Sequence, residues 1–209
     1  MIRRTAAIAA IAAAASVSAN AALTTYAPWE AAYTANGLSG VLFDVHSDAA
    51  SGATTALGAH AYKNGVYLSN DGVGTFSAQS GTYAPDGKNY ANWSFDFGWN
   101  LGSCTSCSVW LGIDNDPTAG VNLLFGNITS YPINPESLNL EMASVTAQTG
   151  YNFDPFSASS TAFRLEIRDA NGAVLTASDI TVNVPEPGSI ALAGLGLLGA
   201  AAFSRRRKA

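Results

Sequence analysis

The sequence has few charged side chains, only two cysteines and only two histidines. Charged residues make up 12% of the 209 positions, whereas hydrophobic residues make up 48%. A chain with so little charge and so much apolar surface is not expected to be disordered. Two cysteines are too few for the dense disulfide network of small secreted scaffolds. The net charge of −5 argues against nucleic acid as a partner, because binding to phosphates needs clustered Lys and Arg.

Basic residues are scarce in the middle of the chain and concentrated at its two ends. Between Leu23 and Val184 there are four basic and fourteen acidic residues, so this stretch carries a net charge of −10. The other six basic residues are Arg3, Arg4, Arg205, Arg206, Arg207 and Lys208. The chain therefore consists of an acidic body, long enough for one domain, between two basic tips.

Residues 1–21 have the pattern of a secretory signal peptide. Arg3 and Arg4 precede an apolar run of Ala and Ile, and Ala19 and Ala21 form an Ala-x-Ala cleavage site. We therefore expect cleavage after Ala21. The alternative is an alanine-rich helix of the mature protein, but no polar face interrupts the run. The arginine pair also leaves a twin-arginine signal open.

The C-terminal tail contains 17 residues without a charge, 188–204, followed by four basic residues. As a helix this run would be about 25 Å long, slightly less than a hydrocarbon core of about 30 Å. Snorkelling of Arg205 and local thinning of the bilayer can cover the difference. The positive-inside rule places the basic end in the cytoplasm and everything before Pro185 outside. A buried helix of a globular domain is the alternative, but the run is apolar on all faces.

The same tail resembles the PEP-CTERM sorting signal of Gram-negative bacteria. Its three parts occur in the order of that signal: a Pro-Glu-Pro segment, a short Gly-rich apolar run and an Arg-rich end. The residues that carry the sorting function by this resemblance are Val184, Pro185, Glu186, Pro187, Gly188, Arg205, Arg206 and Arg207. The two prolines exclude helix and sheet ladder, so the segment is expected to be extended and exposed, as a protease requires.

The resemblance also implies a partner and a location. In this family an exosortase, which is an integral-membrane cysteine protease-transpeptidase, recognises the tail and processes the protein near Pro-Glu-Pro. We therefore expect an exported precursor anchored in the inner membrane, which later reaches the cell surface or the extracellular matrix. Family members are often associated with exopolysaccharide and biofilm, so exopolysaccharide is a candidate partner.

Residues 22–184 predict an all-β ectodomain, an antiparallel β-sandwich of jelly-roll-like type. It is flanked by the N-terminal signal helix and by the sorting signal of residues 185–209, which comprises the Pro-Glu-Pro motif, a transmembrane helix and the basic cytoplasmic tail. The clearest strand spans 92–99, where Trp93, Phe95, Phe97 and Trp99 alternate with small or polar residues. Further strands are predicted at 40–46, 108–113, 121–125, 163–168, 173–177 and 180–184, with an Asn-Gly hairpin turn at 171–172. Residues 27–35 allow a helical turn. The segments 110–117 and 165–172 are similar to ectodomains that accompany this sorting signal.

Cys104 and Cys107 form the motif that most suggests chemistry. A zinc site needs four ligands and the chain has no second pair, and a redox site of the thioredoxin type needs a βαβ context. Export to an oxidising compartment favours a structural disulfide that closes a hairpin. Redox catalysis and free thiols are the other interpretations.

Asp114, Asn115 and Asp116 place oxygen atoms close together after a predicted strand. Such oxygens suit Ca²⁺, although the Gly and Glu of an EF-hand loop are missing. The competing interpretation, which we favour, is an Asx-type turn before Pro117. No other cofactor is predicted.

The sequence thus favours a non-catalytic, exported surface or matrix protein with a structural or adhesive role. One alternative is a carbohydrate-binding module, with or without Ca²⁺. A secreted hydrolase is a further alternative, but no Gly-x-Ser-x-Gly elbow frames a nucleophile, and His46 and His60 are expected to be structural or surface residues.

Overall fold

The fold is described from a computed structural model, which describes residues 22–26, 40–63, 68–186 except 117 and 119, and 188. The prediction of an all-β domain is confirmed: the described residues form two β-sheets with little helix. The strands are β1 (Phe43–Ser47), β2 (Thr54–Ala61), β3 (Ser69–Asn70), β4 (Thr75–Ser77), β5 (Trp93–Asn100), β6 (Ser108–Asp114), β7 (Leu123–Asn127), β8 (Glu136–Leu138), β9 (Ser159–Arg168) and β10 (Val174–Val184). The predicted signal peptide, the predicted membrane helix and residues 27–35 lie outside the described residues.

The first sheet has the strand order β1-β2-β5-β8 and is antiparallel throughout. Strand β2 pairs with β5 over its whole length and consists largely of Ala, Thr and Gly. Small residues are needed where Phe43 of β1 lies across Gly58. A side chain on Gly58 would collide with the carbonyl oxygen of Leu42 and with the ring of Phe43.

The second sheet has the order β3-β4-β10-β9-β6-β7 and is mixed. Strands β4 and β10 run parallel, which corrects the prediction of a purely antiparallel sandwich; the other pairs are antiparallel. The segments predicted as two strands at 173–177 and 180–184 are one continuous strand, β10. It is an interior strand of the sheet, hydrogen-bonded to β4 on one edge and to β9 on the other.

The core lies between the two sheets and is rich in aromatic rings. The alternating side chains of β5 enter it as predicted, and the ring of Phe95 stacks on that of Phe163 of β9 at a centroid distance of 4.6 Å. Burial of each such side chain contributes roughly 1.5–3 kcal/mol. The two sheets therefore pack through the faces that the period-two pattern marks as apolar.

Among the described residues, two helical segments lie between the strands: the 3-10 helix Ala84–Asp86 and helix α1, Ala143–Thr149. Gly150 ends α1 in the left-handed conformation. Within the part of the chain that the structure describes, no helix has the length and apolar character needed to cross a membrane.

Candidate functional site

The end of β10 is the point at which the folded domain stops and the predicted sorting segment begins. Val184 pairs with Ser159 of β9 and is only 3% exposed. Its neighbour Asn183 pairs with strands on both sides, and its carbonyl oxygen accepts a hydrogen bond of 2.9 Å from the backbone N–H of Ala78. Pro185 follows directly, is exposed, and has no N–H with which to continue the ladder.

The residues after Val184 leave the sheet at once. Pro185, Glu186 and Gly188 are exposed, and Gly188 has a φ of +86°, a conformation that glycine adopts without strain. These three residues are thus accessible to another protein, whereas the end of β10 immediately before them is buried. This is the geometry expected for a protease substrate attached to a stable domain.

A cavity of about 820 Å³ opens beside the end of β10. Its described lining combines a few apolar residues with six neutral polar side chains, which are Ser69, Ser77, Gln79, Asn92, Ser159 and Asn183. Ser159 is 8% exposed, and its Oγ atom has no hydrogen-bond partner. Thr161, the next inward-facing residue of β9, also has a buried hydroxyl without a partner.

The comparison with family models decides what the tail is. The model described as the PEP-CTERM protein-sorting motif matches residues 183–208. The chain carries a PEP-CTERM sorting signal. The comparison with curated proteins found no match, and neither did the comparison with solved structures.

The PEP-CTERM match joins the structure at a defined place. Its first two residues, Asn183 and Val184, are the last two of β10, so the described domain lies on the N-terminal side of the signal. The motif indicates an exosortase-sorted, exported protein with a membrane-anchored precursor. Pro187, Arg205, Arg206, Arg207 and the cleavage-site residues Ala19 and Ala21 lie outside the described residues.

Cys104 and Cys107 are joined by a disulfide, with their Cα atoms 5.6 Å apart. The bond closes the connection between β5 and β6. Gly102 in the same connection has a φ of +59° and packs directly on the backbone of Ser51, in the turn between β1 and β2. The disulfide loop therefore contacts the turn between β1 and β2 at one end of the domain. Because β5 and β6 belong to different sheets, the bond closes a connection from one sheet to the other and not the predicted hairpin.

Asp114 organises the connection between β6 and β7. Its Oδ1 atom accepts hydrogen bonds from the backbone N–H groups of Asp116, at 3.0 Å, and Asn122, at 2.9 Å. The first of these is an Asx-type turn. The Oδ2 atom is buried without a partner. The described residues contain no group of three His, Cys, Asp or Glu side chains arranged to hold a metal.

Three acidic residues act on the pKa of one tyrosine, Tyr151. Burial raises the pKa of Tyr151, and the negative charges of Asp114, Asp116 and Asp154 raise it further. Asn115 uses its Oδ1 atom to accept a hydrogen bond of 2.8 Å from Asn122. All three calcium candidates thus use an oxygen atom to hold the loop itself, since Oδ1 of Asp116 accepts a hydrogen bond of 2.9 Å from the backbone N–H of Thr118.

The two histidines each contact an aspartate, and neither is among the described residues that line the cavity. His46 Nε2 lies 3.0 Å from Oδ1 of Asp44, whose Oδ2 accepts a hydrogen bond of 2.8 Å from the backbone N–H of Asp179. His60 is buried against Asp96 on the first sheet. The pair of His60 and Asp96 links β2 to β5, whereas His46 and Asp44 lie on the same strand and Asp44 itself links β1 to β10.

The outer face of the second sheet carries a row of charged and aromatic side chains. The guanidinium of Arg168 lies 4.8 Å from the ring centre of Trp110 and 5.0 Å from that of Phe125. Arg168 also donates to Glu166, and Arg164 donates to both oxygens of Asp179. Because these charges are paired within the row, the two arginines and the two acids do not present an excess of one sign.

Sequence reasoning did not find the cavity. Its polar residues come from the ends of several strands and from loops, and no local motif connects them. The only local signal is a pair of inward-facing hydroxyl residues, Ser159 and Thr161, in a strand whose other inward residues are apolar.

Proposed function

We propose that this protein is an exosortase substrate whose β-sandwich is displayed at the cell surface or in the extracellular matrix, where it has a non-catalytic structural or adhesive role. The observation that carries the proposal is the direct continuation of β10 into the matched motif at residues 183–208. Because all of the described domain except the last two residues of β10 precedes the motif, the domain is the cargo that the signal sorts.

The charge pattern supports the same orientation. Both basic tips favour the cytoplasmic side. The acidic body between them has only four Lys and Arg residues, so it has little positive charge to keep it in the cytoplasm. The disulfide between Cys104 and Cys107 suits an oxidising compartment. The N-terminal signal then directs export, and the C-terminal signal directs anchoring in the membrane and release from it.

The experiment is deletion of Pro185–Ala209, followed by cell fractionation and gel analysis in a Gram-negative host that has an exosortase. The proposal expects the full chain to be processed and the shortened chain to lose its membrane-bound intermediate. A finer variant replaces Pro185 and Pro187 with Ala and is expected to slow processing. Pro85→Ala, in the exposed 3-10 helix, is the matched control and leaves processing unchanged. Identical fractionation of the full and shortened chains would refute the proposal.

A second candidate function, binding of a neutral saccharide, is favoured by the cavity beside β10. Its volume of about 820 Å³ suits a small ligand, and its described lining contains no charged side chain. Neutral hydroxyl and amide groups are the partners that sugar hydroxyls need. The buried Oγ of Ser159 lacks a protein partner, and an unpaired buried polar group costs about 1–3 kcal/mol.

The saccharide proposal is tested on a glycan array and by calorimetry. Ser159→Ala and Gln79→Ala are expected to weaken binding of any glycan found. Ser160→Ala is the matched control, because the neighbouring serine is not among the described lining residues. A silent array, or equal affinity for Ser159→Ala and Ser160→Ala, would contradict saccharide binding in this cavity.

A further inference from the structure

A second pocket, of about 520 Å³, is formed by the segments that connect β4 to β5, β8 to α1 and α1 to β9. We call it the acidic pocket, because two carboxylates are among the residues that line it. Its described lining includes Thr82, Asn89, Glu141, Asn152, Asp154 and Phe156. None of these residues lines the cavity beside β10, so the acidic pocket is a separate place on the domain.

The wall of the acidic pocket is fixed to the domain core. Phe153, in this wall, is 7% exposed, and its ring lies edge-on to that of Trp93 at a centroid distance of 5.9 Å. The carbonyl oxygen of Pro155 accepts a hydrogen bond of 2.6 Å from the backbone N–H of Gly81. A ligand therefore meets a wall that is already ordered, which lowers the cost of binding.

Glu141 places a negative charge inside the wall of the acidic pocket. Its Oε2 atom is buried and has no hydrogen-bond partner. Burial raises the pKa of the Glu141 carboxyl group, although the backbone N–H of Ala91 donates a hydrogen bond to it, and the negative charge of Asp154 adds to the rise. Among the described residues, neither Glu141 nor Asp154 forms a salt bridge. A positive charge in the pocket would be attracted by both carboxylates and would relieve their repulsion.

Asp154 is the exposed acid of the two. Its Oδ2 atom accepts a hydrogen bond of 2.5 Å from Oγ of Ser157, and its Oδ1 atom accepts one of 3.0 Å from the backbone N–H of Phe156. These hydrogen bonds lower the pKa of Asp154, so its carboxylate is charged at neutral pH. Each carboxylate oxygen has two acceptor positions, so Asp154 can also accept hydrogen bonds from a ligand.

The other described lining residues suit a sugar ring that carries an ammonium group. The hydroxyl of Thr82 and the side-chain amides of Asn89 and Asn152 both donate and accept hydrogen bonds, as sugar hydroxyls require. Phe156 is 59% exposed, and the face of an aromatic ring attracts a cation and packs against the C–H groups of a sugar. A lysine side chain has the ammonium but no hydroxyl groups for the three neutral side chains.

We propose that the acidic pocket binds an amino sugar with a free amine, such as a glucosamine unit of a deacetylated polysaccharide. Asp154 accepts hydrogen bonds from the ammonium, and the charge of Glu141 attracts it from within the pocket wall. Phe156 packs on the sugar ring. This binding is distinct from that of a neutral saccharide beside β10, and it does not depend on exosortase processing.

The experiment is isothermal titration calorimetry at neutral pH with the full-length chain in detergent micelles. The titrants are a glucosamine trisaccharide, its N-acetylated counterpart, trilysine and calcium chloride. The N-acetylated trisaccharide has the same rings without the ammonium, and trilysine has the ammonium without the sugar. The glucosamine trisaccharide is expected to bind at least about tenfold more tightly than either, because only it uses both the carboxylates and the neutral side chains.

Variants assign the binding to the acidic pocket. Glu141→Gln and Asp154→Asn each remove one charge and keep the shape of the side chain, and Phe156→Ala removes the ring. Each is expected to weaken binding of the glucosamine trisaccharide about five- to tenfold. Asp169→Asn is the matched control, because Asp169 is also a turn aspartate whose Oδ1 accepts backbone hydrogen bonds and it is not among the described lining residues.

An absence of binding by the glucosamine trisaccharide, or equal affinity for its N-acetylated counterpart, would overturn the proposal. So would trilysine that binds as tightly, or calcium as the only titrant that binds. Equal affinities of Glu141→Gln, Asp154→Asn and Asp169→Asn would place the binding elsewhere and also contradict it. Ser159→Ala is expected to leave this binding unchanged, so a failure of saccharide binding in the cavity beside β10 is distinguishable from a failure here.

Discussion

His60 of β2 and Asp96 of β5 form a buried pair, with Nδ1 of the imidazole 2.7 Å from Oδ2 of the carboxylate. His60 is 5% exposed and Asp96 is fully buried. The second oxygen of Asp96, Oδ1, has no partner. The histidine is therefore the group that compensates this carboxylate, and the pair links two neighbouring strands of the first sheet.

This pair makes stability depend on pH. Burial lowers the pKa of His60, but the charge of Asp96 and the hydrogen bond to it outweigh burial and raise the pKa above its ordinary value of 6.5. A raised pKa in the folded state stabilises the fold below the pKa of the unfolded chain, and this contribution is lost as the pH rises through the folded pKa. The wild-type domain is thus expected to lose free energy of unfolding as the pH rises above about 6.5.

The measurement is urea unfolding of wild type and His60→Asn from pH 5.5 to pH 9. The asparagine amide replaces the Nδ1 donor but carries no charge, so the variant is expected to lose about 1.5–3 kcal/mol at the acidic end. The difference between the free energies of unfolding of the variant and of wild type is expected to shrink toward alkaline pH, because wild type loses the charged pair there. A difference that stays constant or grows with pH would contradict a charged pair.

Gly102 provides a prediction about packing between loops. Its φ of +59° disfavours any side chain, and a Cβ atom there would also collide with the backbone of Ser51, Gly52 and Ala53. Gly102→Ala is expected to destabilise the domain by more than about 2 kcal/mol, because strain and collision add.

Gly172 is the matched control for this substitution. It has a φ of +83° and no atom near enough to contact an added Cβ. Gly172→Ala is therefore expected to cost only the conformational strain, about 1 kcal/mol. Thermal denaturation of the two variants measures the cost of strain alone and the cost of strain plus collision. Equal losses of stability in the two variants would show that Gly102 does not pack as described.

The disulfide is expected to matter little for stability. It joins residues three apart in sequence, so it removes little entropy from the unfolded chain, and the loop-closure relation gives about 2 kcal/mol. Replacing both Cys104 and Cys107 with Ser should lower the melting temperature modestly and leave a folded domain. An unfolded double variant under oxidising conditions would contradict this expectation.

Much of the β-structure could be predicted because one face of each strand is apolar. Strands β5, β6 and β9 alternate large apolar with polar or small residues. The structure places β5 and β6 within one residue of the predicted bounds, whereas β9 begins four residues earlier, at Ser159. The hairpin between β9 and β10 was also predicted, from Asn171 and Gly172. There the carboxylate of Asp169 accepts two hydrogen bonds, of 2.8 Å each, from the turn backbone.

Strand β2 could not be predicted in the same way. Half of its residues are Ala or Gly, which are depleted in strands, and it is a strand because β1 and β5 pair with it on both edges. Helix α1 was missed because it has only seven residues, too few for a periodic pattern. The parallel pairing of β4 with β10 depends on contacts distant in sequence.

The candidate site, like the fold, has one part that could be predicted from the sequence and another that could not. The sorting signal is a local sequence pattern, so the sequence alone located it, and the family model matches residues 183–208. The cavity and the pairing of His60 with Asp96 depend on the register between β2 and β5 and on which strand ends meet. Neither is encoded by the spacing of residues along the chain.

The intact mass of the native protein, measured in each cell fraction, tests the central claim most directly. The account predicts a mature species in the exported fraction that lacks residues 1–21 and the part of the tail that follows the processed bond. It also predicts a membrane-bound precursor that still carries the basic end. A single species of all 209 residues in the cytosol would contradict it.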